Sequence, residues 1–323
     1  MNHSLYRSLL ATALLLTVWS WPTQSLAATE LTREVLKNNG EVTTYKFLPV
    51  EYHPEHAQVV QARMNEVKAT VAVPASYQIP HSKLPAIRDQ GQRGTCAYFA
   101  TTGLLETYYM AASSANANIR LSEECLVDVR NWESDTATYT GADKPAERPD
   151  PNGDLPASIV ATITTFGMPL AKEYGAVSCV YDGSNQNGGS VAMTDYQALF
   201  SSGATKAYGK GMKFNLNAKP TIDQIKALLV KNIPVEIGIL VYNEFMNSSD
   251  WRFNAQTDTD SNLAGGHAII LTGYATTGAS TIFTFKNSWG DGWGNQGYGT
   301  MDDKVLTNSW GYDPNFDFIV SAK

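Results

Sequence analysis

Positive charge and long apolar runs are both scarce in this sequence. Its 24 lysines and arginines are outnumbered by 31 aspartates and glutamates, which gives a net charge of −7 and a pI near 5.3. This balance argues against nucleic acid as the main partner, because a phosphate-binding face needs an excess of positive side chains. After the N-terminus no apolar stretch approaches the roughly 18 residues that cross a bilayer, so we expect no stable membrane insertion of the remainder. The hydrophobic fraction of 43% is that of an ordinary globular protein.

Cysteine and histidine are few and widely spaced. The chain has three cysteines, Cys96, Cys125 and Cys179, and five histidines. Their positions do not show the ligand spacing of zinc sites, so no metal is expected. In an exported protein an odd number of cysteines indicates one disulfide and one free thiol.

The N-terminus resembles a targeting signal. Residues 8–21 form a short apolar run after a basic residue, and residues 25–27 provide the small side chains that a signal peptidase reads. The pattern predicts a cleaved signal peptide over residues 1–27 and a secreted or periplasmic protein. The alternative is an uncleaved anchor with Trp19 and Trp21 at the membrane interface.

Residues 28–80 precede the main part of the chain. Apolar residues at helical spacing predict a helix over 54–69, and a segment rich in proline and serine follows it. This order is typical of a short propeptide, and the alternative is an N-terminal extension that stays attached. The globular domain is then expected over residues 81–323.

Helical patterns dominate the first half of that domain and strand patterns the second. Helices are predicted over 95–112, 122–132, 156–166 and, in the second half, 221–231. Strands are predicted over 234–242, 266–274, 280–287 and 315–321. The order favours an α+β fold with a helical lobe over about 95–190, a strand-rich lobe over about 191–323 and a cleft between them.

Cys96 stands at the start of the first of these helices. A thiol in the first helical turn feels the positive end of the helix dipole, which is expected to lower its pKa. A cysteine that hydrolyses an amide also needs an imidazole, which takes the proton of the thiol and later gives it to the leaving amine. After Cys96 the chain contains one histidine, His267, beside Gly265 and Gly266. A histidine in a strand is often structural, but this one is the leading candidate for the acid/base.

Asn287 ends a predicted strand twenty residues after His267. A hairpin would bring the two side chains together, so that the amide oxygen accepts from the ring and fixes its tautomer. Trp289 would then cover that hydrogen bond. The alternative is that Asn-Ser-Trp-Gly-Asp-Gly is only a turn.

These motifs together resemble those of the papain (cathepsin-like) cysteine peptidases. Residues 89–96 read Asp-Gln-Gly-Gln-Arg-Gly-Thr-Cys, residues 266–268 read Gly-His-Ala, and residues 286–294 read Lys-Asn-Ser-Trp-Gly-Asp-Gly-Trp-Gly. Weaker matches lie at 121–128 and 152–153, and the resemblance covers about residues 80–323. It implies a papain-like fold, with a helical left lobe, a β-barrel-like right lobe and the active site between them.

The resemblance also implies the activity and the residues that perform it. It implies a cysteine endopeptidase that acts on peptides or proteins through a covalent acyl-enzyme and needs no cofactor. The signal peptide adds secretion, and residues 28–80 add a propeptide that would restrain the enzyme. Cys96 would be the nucleophile, His267 the acid/base, Asn287 its orienting partner and Gln90 the side-chain donor to the oxyanion. An apolar side chain is expected two residues before the scissile bond. The implied substrate-binding residues are Gly153, Asp154, Leu155, Pro156, Gly266, Ala268 and Trp289.

The sequence departs from the family pattern in ways that matter for its disulfides. Arg93 replaces the usual cysteine three residues before the nucleophile, and Pro151 replaces the partner of that cysteine. The resemblance implies a second bridge, kept in a shifted position as Cys125–Cys179, which would leave Cys96 free. The alternative is that both are buried thiols.

Other functions remain open at this stage. The chain is either an exported, bacterial-type member with few bridges or a relative of bleomycin-hydrolase-like peptidases, and the signal sequence favours the first. A catalytically silent relative that binds peptides or proteins is one alternative. An acyl-transferring, ligase-like enzyme that uses the same cysteine is another.

Overall fold

The structure, a computed structural model, describes residues 31–38, 40–47, 71–134, 156–171, 206–217, 220–242, 252–253, 263–307 and 318–322. The α-helices are α1 (Cys96–Ala112), α2 (Glu123–Ser134), α3 (Pro156–Phe166), α4 (Ile222–Val230) and α5 (Lys304–Thr307). The first strands are β1 (Leu31–Leu36), β2 (Val42–Phe47), β3 (Ser76–Gln78), β4 (Phe214–Asn217) and β5 (Val235–Tyr242). They are followed by β6 (Arg252–Phe253), β7 (Leu263–Thr277), β8 (Ser280–Lys286), β9 (Tyr298–Asp302) and β10 (Phe318–Ala322).

One eight-stranded sheet organises the second half of the chain. Its strands lie in the order β4-β10-β5-β7-β8-β9-β6, and β3 pairs with the far part of β7. All of these pairs are antiparallel except β6 with β9. Strand β5 is buried along its whole length, as its nearly continuous apolar sequence predicts, and it contacts both α1 and α4.

The buried side chains of the described residues form two hydrophobic clusters. The strand-rich cluster includes Phe285, Trp289 and Trp293, whereas the helical cluster gathers side chains of α1, α2 and α3. Ala268 of β7 belongs to the helical cluster together with Cys96. Strand β7 therefore forms the boundary between the two halves, and the start of α1 lies against it.

The predicted elements agree closely with those in the structure. All four predicted helices are present within two residues of their expected bounds, and all four predicted strands are found. The start of α4 is well defined because Thr221 and Gln224 form a reciprocal capping box. Strand β7 is longer than expected, since glycines at its beginning and threonines at its end continue the ladder. The signal peptide over 1–27 and the helix over 54–69 lie outside the described residues.

An N-terminal β-hairpin, formed by β1 and β2, was not predicted. Val35 of this hairpin is fully buried in the strand-rich cluster. Lys37 Nζ lies 2.6 Å from Asp89 Oδ2, and the backbone N–H of Asn38 donates to Gly292 O at 2.8 Å. The hairpin is therefore docked on the two segments that flank Gln90 and Trp289. In the part of the chain that the structure describes, no helix is both long and apolar enough to cross a membrane.

Candidate active site

Cys96 is the first residue of α1 and is placed directly against β7. It is a free thiol, and its side chain is 1% exposed. The backbone N–H groups of Ala97 and of Ala268, the residue after His267, hydrogen-bond to its sulfur. The helix start and the histidine-bearing strand therefore meet at the cysteine.

His267 and Asn287 are joined as the predicted hairpin requires. Strands β7 and β8 are antiparallel, and His267 Nε2 lies 2.8 Å from Asn287 Oδ1. The backbone N–H of Ser288 also donates to this oxygen at 2.8 Å, which identifies it as the acceptor. Nε2 of the ring is therefore the donor, and in this tautomer Nδ1 is the nitrogen that can accept a proton.

Trp289 covers the imidazole. The two ring centroids lie 4.7 Å apart, and the indole packs edge-on against Trp293 at 5.3 Å. Both tryptophans are fully buried. Trp289 therefore shields the His267–Asn287 hydrogen bond from water, and it presents no surface to a substrate in this conformation.

Gln90 lies between the two halves. Its Oε1 accepts from Ser288 Oγ at 2.6 Å, and its Nε2 donates to the backbone carbonyl of Arg93 at 2.8 Å. Its backbone N–H donates to Ser288 O at 2.9 Å. The side-chain amide is thus fixed beside the motif that carries Asn287. The structure brings all four predicted catalytic residues into this one region.

Burial shifts both members of the thiol–imidazole pair away from their charged forms. It raises the pKa of Cys96 to about 12, although the hydrogen bonds from Ala268 and Ala97 lower it. It lowers the pKa of His267 to about 4, although the hydrogen bond to Asn287 raises it. The expectation that the helix start lowers the pKa of Cys96 is therefore wrong for the buried thiol of this structure, because desolvation outweighs the effect of the helix dipole. Thiolate and imidazolium have to form together, as an internally neutralised pair.

A cluster of buried charged side chains adjoins the site, and it was not predicted from the sequence. Arg88 donates to Glu106 and, at 2.6 Å, to Glu123. Lys286, next to Asn287, is 7% exposed and interacts electrostatically with the same groups. Burial raises the pKa of Glu106 to about 7 and lowers that of Lys286 to about 8. The one available signal was an acidic residue within the apolar sequence of α1.

The predicted substrate-binding residues are only partly described. Gly153, Asp154 and Leu155 lie outside the described residues. Pro156 is the first residue of α3 and is buried. Gly266 and Ala268 lie on β7, opposite Leu240 and Gly238 of β5, and both are buried.

Cys125 is fully buried in α2. Its predicted partner, Cys179, lies outside the described residues, so the bridge stays a prediction. Among the residues that the structure describes, no group of three histidine, cysteine, aspartate or glutamate side chains is arranged to hold a metal ion.

Comparison with known proteins matches this chain to cysteine proteases. The profile of the papain family cysteine proteases matches residues 73–312. The chain is 26% identical over 217 residues to a cathepsin L-like proteinase of Fasciola hepatica, which covers 66% of this chain and 55% of that protein. It is 26% identical over 297 residues to cathepsin B-like cysteine proteinase 4 of Caenorhabditis elegans, with 85% and 83% covered. The chain spans about half the length of the Fasciola protein and of pro-cathepsin H of Medicago truncatula, 55% and 53%.

Solved structures establish the fold. Xylellain, a cysteine protease from Xylella fastidiosa, superposes with a TM-score of 0.59 at 16% identity, covering 90% of this chain and 97% of its own. Procathepsin L 3 from the larval midgut of Tenebrio molitor gives 0.57 at 20% identity, with 80% and 73% covered. The predicted two-lobe α+β fold is thus confirmed.

Proposed function

The chain belongs to the papain family of cysteine proteases, and we propose that it is a cysteine endopeptidase that uses Cys96, His267, Asn287 and Gln90. The observation that carries the proposal is the 2.8 Å contact between His267 Nε2 and Asn287 Oδ1, next to a free cysteine at a helix start. We expect this arrangement to present the imidazole to the thiol, which is the requirement for a nucleophilic cysteine.

The first half of the proposed reaction forms the acyl-enzyme. The Cys96 proton moves to Nδ1 of His267, and the sulfur attacks the carbonyl carbon of the substrate. As the sulfur–carbon bond forms, the carbonyl electrons move to oxygen, where the backbone N–H of Cys96 and Nε2 of Gln90 stabilise the charge. The intermediate then collapses, the carbon–nitrogen bond breaks, and His267 gives its proton to the leaving amine.

The second half releases the acid product. A water molecule replaces the amine, His267 removes one of its protons, and the oxygen attacks the thioester carbon. The carbon–sulfur bond breaks, and the proton returns to Cys96. Asn287 keeps the ring in one orientation through both halves, so the same nitrogen serves as base and as acid.

An apolar side chain is proposed two residues before the scissile bond. Pro156 and Ala268 support this preference because both are apolar and stand at the positions that the family resemblance assigns to that pocket. Transfer of a leucine-sized side chain out of water contributes about 1.5–3 kcal/mol. The remaining members of the proposed pocket are Gly153, Asp154 and Leu155.

Export and N-terminal restraint complete the proposal. Residues 1–27 would direct secretion or periplasmic export, and residues 28–80 would restrain the enzyme until some of them are removed. The contacts of Lys37 with Asp89 and of Asn38 with Gly292 support the restraint, because they hold the hairpin beside the proposed site.

The restraint is tested by truncation. Because β3 pairs with β7 and Ile79 is fully buried, the shortened chain should begin at Val73 so that β3 is kept. It is expected to hydrolyse peptides faster than protein that lacks only residues 1–27. Equal activity of the two folded proteins would contradict the restraint.

The activity itself is tested with a peptide library. Wild type and Cys96→Ala are incubated with the library under the same conditions, and the products are identified by mass spectrometry. We expect cleavage within peptides, enriched for an apolar side chain two residues before the cut, and none by Cys96→Ala. Products extended by a second peptide would indicate acyl transfer, and no cleavage by the wild type would indicate a silent relative.

A further inference from the structure

The segment from Gln90 to Thr95 carries the proposed oxyanion donor and leads directly into the nucleophile. Its beginning is held by the strand-rich half, since Asp89 pairs with Trp289 in an antiparallel bridge. The part closer to Cys96 faces the helical half instead. There the side chain of Arg93 makes a contact with α2.

Arg93 is fully buried, and its Nη2 donates to Oε1 of Glu124 in the first turn of α2. Glu124 is itself largely buried, at 16% exposure. The preceding residue, Glu123, accepts from Arg88 at 2.6 Å. Two adjacent carboxylates at the start of α2 therefore bind two arginines, and these arginines flank Gln90 on both sides in the sequence.

The backbone of Arg93 is bonded to Gln90. Nε2 of Gln90 donates to the Arg93 carbonyl at 2.8 Å, while Oε1 accepts from Ser288 at 2.6 Å. The amide plane is thus fixed from both ends. An amide nitrogen carries two hydrogens, so one remains for the oxygen of a substrate.

We propose that Arg93 is a positioning residue, whose buried ion pair with Glu124 fixes the carbonyl that orients the Gln90 amide toward the oxyanion. The inference rests on the proposed peptidase function. A guanidinium without solvent contact has to remain paired, because a buried charge without its partner is costly. The pair therefore ties the loop to α2 in one geometry, at the position where Arg93 replaces a cysteine of the family pattern.

The consequence is specific to the transition state. The oxyanion exists only after the sulfur has attacked, so a displaced Gln90 amide lowers kcat and leaves KM nearly unchanged. Alkylation of Cys96 by iodoacetamide forms no oxyanion. It depends on the thiol and the imidazole, and it is therefore expected to be insensitive to Arg93.

The test compares hydrolysis with alkylation in Arg93→Met and Glu124→Gln, prepared in the same form as the wild type. We expect kcat to fall about 10- to 100-fold, a fraction of what loss of a whole oxyanion donor costs. The rate of alkylation should stay within about threefold of the wild type. Arg93→Lys keeps the charge and should recover part of kcat.

Arg252→Met is the matched control, because it removes an arginine ion pair with Asp302 (2.6 Å) away from the loop. It should leave both rates unchanged. If Arg93→Met does not fold, Arg93→Met/Glu124→Met removes both charges together and is assayed in its place. Parallel loss of hydrolysis and alkylation, or an unchanged kcat in a folded variant, would overturn the role of Arg93. Absence of hydrolysis in the wild type would contradict the proposed function, and the inference with it.

Discussion

The two halves of the proposed site are held in place by different interactions. His267 lies in β7 opposite Ile239 of β5, and Asn287 directly follows β8, so the backbone ladder of the sheet sets their positions. Gln90 lies in a loop, and Cys96 directly follows that loop. The loop is held by backbone contacts and by the buried ion pairs of Arg88 and Arg93 with α2.

This difference determines how each half responds to substitution. The register of a sheet with a buried face is strongly specified, because a slip by one residue turns every side chain to the wrong face. The strand-rich half should therefore keep its geometry when one side chain is shortened. Removal of one partner of a buried ion pair destabilises the folded protein severely, because the other charge stays buried without its partner. The loop half should therefore be the more sensitive to changes outside the catalytic residues.

The largest effect on the strand-rich half is expected from His267→Ala. Without the imidazole no group carries the proton between Cys96 and the leaving amine, so kcat/KM should fall by at least about 10⁴-fold. The sheet should remain intact, which circular dichroism will show. Retention of more than about one per cent of the activity would remove His267 from its proposed role.

A direct comparison of the halves comes from Gln90→Ala and Asn287→Ala. Loss of one oxyanion donor should lower kcat about 10²- to 10³-fold. Loss of Asn287 should lower kcat less, about 10- to 100-fold, as is typical when a group that orients a histidine is removed. The effect is smaller because Trp289 still packs on the ring. Steady-state kinetics measure both. An inactive Asn287→Ala beside an active Gln90→Ala would reverse the comparison.

The helical half is also expected to contain the Cys125–Cys179 disulfide. Closing a loop of about 55 residues contributes up to roughly 4 kcal/mol to the free energy of unfolding in the chain-entropy description. Thiol titration after denaturation without reductant should find one thiol, and peptide mapping should find one bridge. Three thiols would rule the bridge out, and α2 would then be held by packing and ion pairs alone.

The smallest effect concerns Glu236, a fully buried carboxyl on β5 whose two oxygens lie 3.0 Å from Thr101 Oγ1. Burial raises its pKa well above the ordinary value of 4.5. An acid with a raised pKa in the folded state contributes full stability below its ordinary pKa and loses it as the pH rises through the raised value. Glu236→Gln removes that loss and keeps an acceptor for Thr101.

The variant should therefore melt close to the wild type near pH 4 and about 3 °C or more above it near pH 8. Glu41→Gln is the control, because the Glu41 side chain is 55% exposed. A Tm difference that does not change with pH would show that Glu236 is not the titrating group.

Sequence patterns predicted the strand-rich half of the site better than the loop half. The hairpin that joins His267 to Asn287 is formed by adjacent strands, and β-branched and aromatic residues mark both of them. The contacts of Arg93 with Glu124 and of Arg88 with Glu106 join a loop to helices without a regular backbone pairing, and no single-sequence pattern reports which charges are buried together. The hairpin of β1 and β2 was missed for the same reason, since the burial of Val35 depends on the core that it joins.

The prediction of a lowered pKa for Cys96 is wrong because the sequence shows the helix start but not the depth of burial. The dipole argument holds for a thiol that reaches water. Here the thiol is 1% exposed, and desolvation decides the direction of the shift.

The most direct test of the account is to label the protein with a peptidyl epoxide and to follow labelling and hydrolysis together. We predict one adduct per molecule in the intact mass, located on Cys96 by peptide mapping, and loss of hydrolysis in proportion to labelling. Cys96→Ala should take up no label and cleave nothing. Hydrolysis that persists in fully labelled protein, or in Cys96→Ala, would contradict the assignment of Cys96 as the nucleophile.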